Sequence, residues 1–205
     1  MFSPDKFFHL ENFSHKDLFL EDQPIWETLK NLTKYLEQIK LGKIECVIPS
    51  STILLNPDQI LIRQGSIIEP GCCIQGPCII GEQSIVRYGA HVRPYVITGK
   101  GCVIGHSSEI KHSILLNFSC APHYNYVGDS ILGEHVNLGA GVKCANVLLN
   151  KKEVRVNFKG QYFRTGLKKF GSIVGDRCQI GCNSVINPGT ILARNTFIRP
   201  CSSVR

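Results

Sequence analysis

The sequence predicts an all-β solenoid, a left-handed parallel β-helix of hexapeptide repeats with a short N-terminal helical cap, and three observations predict it. Aliphatic residues recur every six positions at Ile62, Ile68, Ile74, Ile80, Val86 and Val92. After one break at Thr98 they continue at Ile104, Ile110 and Leu116, and later at Val174, Ile180, Ile186, Leu192, Ile198 and Val204. The position two before each aliphatic is small or β-branched, as at Ser66, Cys72, Cys78, Ser84, Ala90, Cys102, Cys178 and Ser184. Gly81, Gly105, Gly133, Gly139, Gly175 and Gly181 directly follow an aliphatic. Neither the strand period of 2 nor the helical period of 3.6 produces this register.

Each hexad then makes one face and one corner of a triangular prism, and three hexads make a coil. The aliphatic points into the narrow interior, the small residue fits the crowded space near a corner, and the glycine is expected to supply unusual turn dihedrals. The pattern covers residues 46–205 and is irregular from Cys46 to Leu61. Residues 1–45 form an N-terminal helical extension, in which Ile25, Leu29, Leu32, Leu36 and Ile39 recur at helical spacing behind Pro24. This helix is expected to close the open end of the prism.

The two hexad runs are out of phase. Leu116 and Leu132 are 16 residues apart, four more than two hexads, and the pattern lapses again between Leu138 and Val174. Loops at 117–126 and 146–171 are expected to leave the prism there, and insertions into solenoids commonly carry function.

Composition narrows the function classes. No run of 18 apolar residues is present, so no spanning helix is expected, and the segment MFSPDKFFHLENF lacks the basic-then-apolar order of a signal peptide. A cytoplasmic chain is therefore expected. The net charge of +7 suits anionic small molecules, and 7 of the 23 basic residues lie between Lys151 and Lys169. They form no long tract, so nucleic acid is not an expected partner, nor is a membrane. None of the 10 cysteines shows CxxC spacing, and no metal is expected. Cys72, Cys78, Cys102 and Cys178 occupy the small-residue slot, where buried thiols behave as small hydrophobes.

His123 lies in the first loop, in Cys-Ala-Pro-His-Tyr-Asn-Tyr-Val-Gly-Asp, with Arg93, Glu109 and Lys111 in neighbouring hexads. A lone histidine is more often structural than catalytic, yet this one sits at a phase break. Arg93 and Lys111 are 18 residues apart and should stack about 4.8 Å from each other. Two stacked cations repel unless an anion such as phosphate lies between them; the alternative is a pair of solvated corner residues.

The stretch Arg93-Pro94, Glu109-Ile110-Lys111, Pro122–Asp129, Val136–Gly141 and Asn146 resembles, without a gap, the acetyltransferase domain of the bifunctional N-acetylglucosamine-1-phosphate uridyltransferases. Arg164–Gly171, Val174-Gly175-Asp176 and Ile186–Gly189 are closer to the archaeal-type sugar-1-phosphate nucleotidyltransferase/acetyltransferases. Together these motifs cover about half of the chain. The resemblance implies N-acetylation of glucosamine-1-phosphate from acetyl-CoA as co-substrate, on the route to UDP-N-acetylglucosamine and cell-envelope precursors. It implies His123 as catalytic base assisted by Glu109, with Arg93, Lys111 and Lys152 holding the sugar phosphate and Tyr126 and Asn137 touching the sugar. Ala140, Asn146 and Cys182 fall at positions near the pantetheine and thioester, and Lys168 is expected to face the coenzyme A phosphates. The family also implies a homotrimer with sites in the grooves between prisms.

Several departures accompany this resemblance. The family's glycine-rich LxGGxGTRM-like loop has no counterpart, so uridyl transfer is expected of a separate nucleotidyltransferase. Val147 stands where an aromatic is usual and Cys182 where serine is usual. The chain stops at Arg205 without the family's carboxy-terminal arm. Other users of the same prism remain as alternatives: acyltransferases acting on another amino sugar or drawing on acyl carrier protein, and a catalytically inactive structural subunit. A zinc-dependent carbonic anhydrase of this architecture needs two closely spaced histidines, and no HxxxxH occurs.

Overall fold

The computed structural model describes residues 1–205 and shows the left-handed parallel β-solenoid that the hexads encode. Three sheets of short parallel strands form the prism. The first face runs from Lys43–Ile44 through Ile60–Ile62, Cys78–Ile80, Val96–Thr98, Ser113–Leu115, Ile131–Leu132 and Ser172–Val174 to Thr190–Leu192. The second contains Ile67–Ile68, Ile85–Val86, Val103–His106, Cys120–His123, Asn137–Leu138, Gln179–Ile180 and Phe197–Ile198. The third contains Ile53–Leu55, Cys73–Gln75, His91–Val92, Glu109–Lys111, Tyr126–Gly128, Lys143–Cys144, Val185–Ile186 and Ser203–Val204. The hexad aliphatics fill the interior together with Cys72, Cys78, Cys102 and Cys178, as the small-residue slot requires. Burial pushes the Cys78 and Cys102 thiols up to about 12, so both are inert fillers.

Residues 117–126 do not leave the prism. Cys120–His123 and Tyr126–Gly128 are strands paired in register with the coil below, Val103 against Cys120 and Glu109 against Tyr126. The phase break comes from two missing residues, one in each of two successive coils, along the edge between the third and first faces. Register there drops from 18 to 17, with Ile97 opposite Ile114 and then Ile114 opposite Ile131. The inward residue is consequently Leu115, with Ala121 and Val127 following, whereas Leu116 points away from the prism interior and packs outside it. His112 and Asp129 close the two shortened corners in left-handed backbone conformations.

The glycines that follow the aliphatics also have a different role from the one expected. None of Gly81, Gly105, Gly133, Gly139, Gly175 or Gly181 has a positive φ; a Cβ there meets the backbone of the next coil, 2.6 Å from Cys182 N at Gly139 and 2.7 Å from Arg194 N at Gly175. They permit close stacking of coils. Left-handed corners are supplied largely by other residues, among them Gln83, Ser107, Phe118, Tyr124, His135, Arg177 and Asn183.

The N-terminal helix, Glu27–Gln38, does not close the end of the prism but lies along its side. Its Leu29, Leu32 and Leu36, with Phe2, Phe8, Phe13, Phe19 and Trp26, cover the outward side chains Leu61, Ile79, Ile97, Ile114 and Ile131 of the first face. Asp176 ties this segment down: its carboxylate accepts the His9 N–H at 2.7 Å and the Glu134 N–H at 2.8 Å. Segment 146–171 does leave the solenoid, as an antiparallel hairpin of Arg155–Phe158 and Gln161–Arg164. It folds back onto its own chain, where Phe2 meets Phe163 at 5.0 Å and Phe158 at 5.6 Å between ring centroids.

Candidate active site

The expected site residues lie on strands of the second and third faces and not on protruding loops. On the third face, outward side chains form two columns on either side of the inward row: His91, Glu109, Tyr126 and Lys143 toward the second face, and Arg93, Lys111, Gly128 and Ala145 toward the first. On the second face His123 pairs with His106 below, and the same register carries the column upward to Ala140 and Cys182. Both the Gly141 N–H to His123 O bond, at 2.9 Å, and the Asn183 N–H to Ala140 O bond, at 2.8 Å, hold this stack. The two groups flank one edge of the prism. Its corner after His123 is pinned by buried Asn125, which accepts the His123 N–H at 3.0 Å and donates to Gly139 O at 2.8 Å.

Arg93 and Lys111 do stack, and carboxylates separate their charges. Arg93 Nη1 donates to Glu109 Oε1 at 2.8 Å, and Lys111 Nζ donates to Asp129 Oδ2 at 2.9 Å. The expected Glu109–His123 pairing is not formed within one chain, because the Glu109 carboxylate is taken by Arg93. The His123 ring is exposed, and the Ala140 N–H donates to no acceptor in the chain.

Asp129 was not singled out from the sequence, although it lies at the end of the quoted histidine stretch. It is buried and accepts from Lys111 and from Asn146 Nδ2. His112 Nδ1 lies 3.1 Å from Asp129 Oδ1, a close but poorly directed approach that leaves that nitrogen without a true hydrogen bond. Burial alone would raise the Asp129 carboxyl; its contacts with His112, Asn146 and Lys111 outweigh this and hold it below its usual value. Tyr126 O–H donates to Asn146 Oδ1 at 3.3 Å, so Lys111, Asp129, Asn146 and Tyr126 form one network. Burial and the nearby charges of Glu109 and Asp129 raise the Tyr126 hydroxyl. The signal that could have revealed Asp129 is the 17-residue step itself, which places an acidic residue at a shortened corner beside Lys111.

The remaining expected residues stand apart. Asn137 is exposed on the second face, three positions along the strand from Ala140. Lys168 is exposed beyond the hairpin, and Lys152 lines a cavity of about 490 Å³ with Leu148, Arg155, Tyr162 and Arg205. His123 is exposed, Arg93 and Glu109 are half-buried, and Lys111 is largely covered at its contact with Asp129.

Comparison with known proteins matches two family descriptions: the GMPPB C-terminal domain over residues 74–161, and the bacterial transferase hexapeptide, six repeats, over residues 171–205. A bifunctional sugar-1-phosphate nucleotidylyltransferase/acetyltransferase from Sulfurisphaera tokodaii is 40% identical over 92 residues, 45% of this chain and 23% of the relative. A bifunctional protein GlmU from Methanococcus maripaludis is 35% identical over 173 residues, 84% of this chain and 41% of the relative. The chain thus spans well under half the length of these curated relatives, matching their carboxy-terminal region. The repeat, the prism and these matches agree: the chain carries the hexapeptide repeat of bacterial transferases and is similar to the carboxy-terminal region of the bifunctional sugar-1-phosphate nucleotidylyltransferase/acetyltransferases.

Proposed function

We propose that the chain is an acetyl-CoA-dependent N-acetyltransferase of amino-sugar 1-phosphates, with glucosamine-1-phosphate as acceptor. One observation carries this reading: the exposed His123 and the unpaired Ala140 N–H share a column at the edge beside Arg93, Glu109, Lys111 and Tyr126. The base and the oxyanion donor lie at this edge, and the two cations stand on the third face that leads away from it.

In this reading Arg93 and Lys111 hold the acceptor phosphate, with Lys152 as a further contact, while Tyr126 and Asn137 bind the sugar hydroxyls. The amine nitrogen attacks the thioester carbonyl carbon, and His123 takes the proton that the nitrogen must lose, an effect of about 10²–10⁴ in rate. Glu109, now paired with Arg93, steadies the imidazolium when phosphate draws Arg93 away. The Ala140 N–H receives the developing oxyanion. Collapse breaks the carbon–sulfur bond, and the proton on His123 passes to the departing coenzyme A thiolate. Asn146 and Cys182 border the pantetheine, and Lys168 faces its phosphates. This route needs neither a cysteine nucleophile nor a metal.

A homotrimer places this open edge in a groove between prisms. A thiol-release assay across amino-sugar phosphates tests the reading. Acetyl-CoA-dependent turnover is expected with glucosamine-1-phosphate; no turnover with any amino-sugar phosphate would leave the structural-subunit alternative in possession. Purified protein given UTP and N-acetylglucosamine-1-phosphate is expected to form no nucleotide sugar, which chromatography of the reaction checks.

A further inference from the structure

Resting on that reading, we propose that Asp129 is the positioning residue of the acceptor-phosphate site, acting through Lys111 and Asn146. Three facts bring it there. The shortened corner puts Asp129 in a left-handed conformation, and the side chains around it leave it 5% exposed. One oxygen, Oδ2, accepts both the Lys111 ammonium, at 2.9 Å, and the Asn146 amide. The other, Oδ1, lies 3.1 Å from His112.

The consequences for orientation are specific. A lysine on a flexible four-carbon stem is a mobile point charge. With Nζ anchored to Asp129, Lys111 stands one coil above Arg93 with its remaining N–H donors directed by that contact. The Asn146 amide is fixed in the same way: its nitrogen faces Asp129, so its oxygen faces the Tyr126 hydroxyl. Arg93 is held separately by Glu109. The site thus contains one cation set by a surface carboxylate and one set by a buried carboxylate, and only the second also orients Asn146 and Tyr126. Asp129 touches no reacting atom; it decides where the groups that touch the acceptor point.

The test is phosphate preference, the ratio of kcat/KM for glucosamine-1-phosphate to that for glucosamine, with the dissociation constant of glucosamine-1-phosphate measured by calorimetry. Asp129→Asn keeps the shape and removes the charge. It is expected to lower the preference about 10-fold to 100-fold, the range found when an outer group orienting a ligand-binding residue is removed, and to weaken binding in parallel. Lys111→Met should do the same, and in this ratio the double variant should be no worse than Lys111→Met alone, because the Asn146–Tyr126 contacts serve both acceptors alike and cancel. Wild-type preference in Asp129→Asn overturns the proposal, as does a double variant losing a further 10-fold. If Asp129→Asn does not fold, the double variant, which removes both charges of the buried pair, is compared with Lys111→Met and the same equality is required. A wild type that binds the sugar phosphate without acetylating it sinks the enzyme reading and leaves this one to be judged on binding. A wild type without phosphate-dependent binding overturns both.

Discussion

His123 and Gly139 are separated by one coil and respond to substitution in opposite ways. The His123 ring is exposed and packs into no core, so His123→Ala is expected to cut turnover by about 10²–10⁴ while leaving the thermal midpoint unchanged. Steady-state kinetics alongside a melting curve check both halves; wild-type turnover would require another base. Gly139→Ala does the reverse. Its Cβ would sit 2.6 Å from Cys182 N and 2.8 Å from Ile180 O, both backbone atoms of the next coil that no rotamer change can move. The variant is expected to lose about 1–3 kcal/mol, as overpacked interiors do. Urea unfolding measures it, and an undisturbed midpoint would mean the coils are less tightly stacked than they look. At this scale the sequence was readable where one residue type fills a repeated slot. The inert cysteines followed directly from the small-residue position. Glu109 was legible as a site residue, but its partner was not, because Arg93 lies 16 residues away and only the register brings them together.

Among the elements, the phase break was visible and its cause was not. Sixteen residues between Leu116 and Leu132 exceed two hexads by four, and they equally fall two short of three. An insertion and a double deletion leave the same phase, and only the strand pairing distinguishes them. The helix was legible from its period, while its docking place needed a second reading of the strands. Leu61, Ile79 and Ile97, spaced by 18 and apolar on the outward side, mark the face that must be covered. The covering segment carries a pH response. Burial, with Arg63 adding to it, depresses His15 from 6.5 to about 4, and its Nδ1 lies 2.9 Å from the Tyr35 hydroxyl. A depressed histidine contributes stability that is present above 6.5 and lost as the pH falls toward 4, at most about 3 kcal/mol. Asp176, raised by burial, acts in the opposite sense on acidification. Comparison with His15→Gln therefore isolates the histidine: the protection of residues 1–42 against hydrogen exchange, taken relative to the free-peptide rate at each pH, should fall between pH 6.5 and 4.5 in the wild type and stay flatter in the variant. Equal profiles in both proteins would remove His15 from the account.

For the whole molecule, the three faces are not equivalent. The first is sealed in cis by the N-terminal segment and the hairpin, whose Val154, Val156 and Phe170 join the same apolar cluster. The second offers solvent an aliphatic ladder of Ile67, Ile85 and Val103, with Ile67 55% exposed and Phe197, at the upper end of the same face, 76% exposed. The third carries the charged network. The edge where these two open faces meet holds His123, Ala140 and Cys182 on one side and Glu109 and Tyr126 on the other. An apolar strip beside an unenclosed polar site is what a self-associating surface presents, and closed cyclic symmetry is the usual outcome. Head-to-tail pairing of the second face of one prism with the third face of the next uses both open faces of every copy, and three is the smallest ring that closes in this way without a two-fold, isologous interface. A homotrimer is therefore expected, with each groove lined by the second face of one prism and the third face of the next. Light scattering on the purified protein should return three times the 22.8 kDa chain mass. Ile85→Glu, placed in the ladder away from His123, should shift that mass downward and reduce turnover together. A monomer mass with full activity would show that one chain holds a complete site on its open edge.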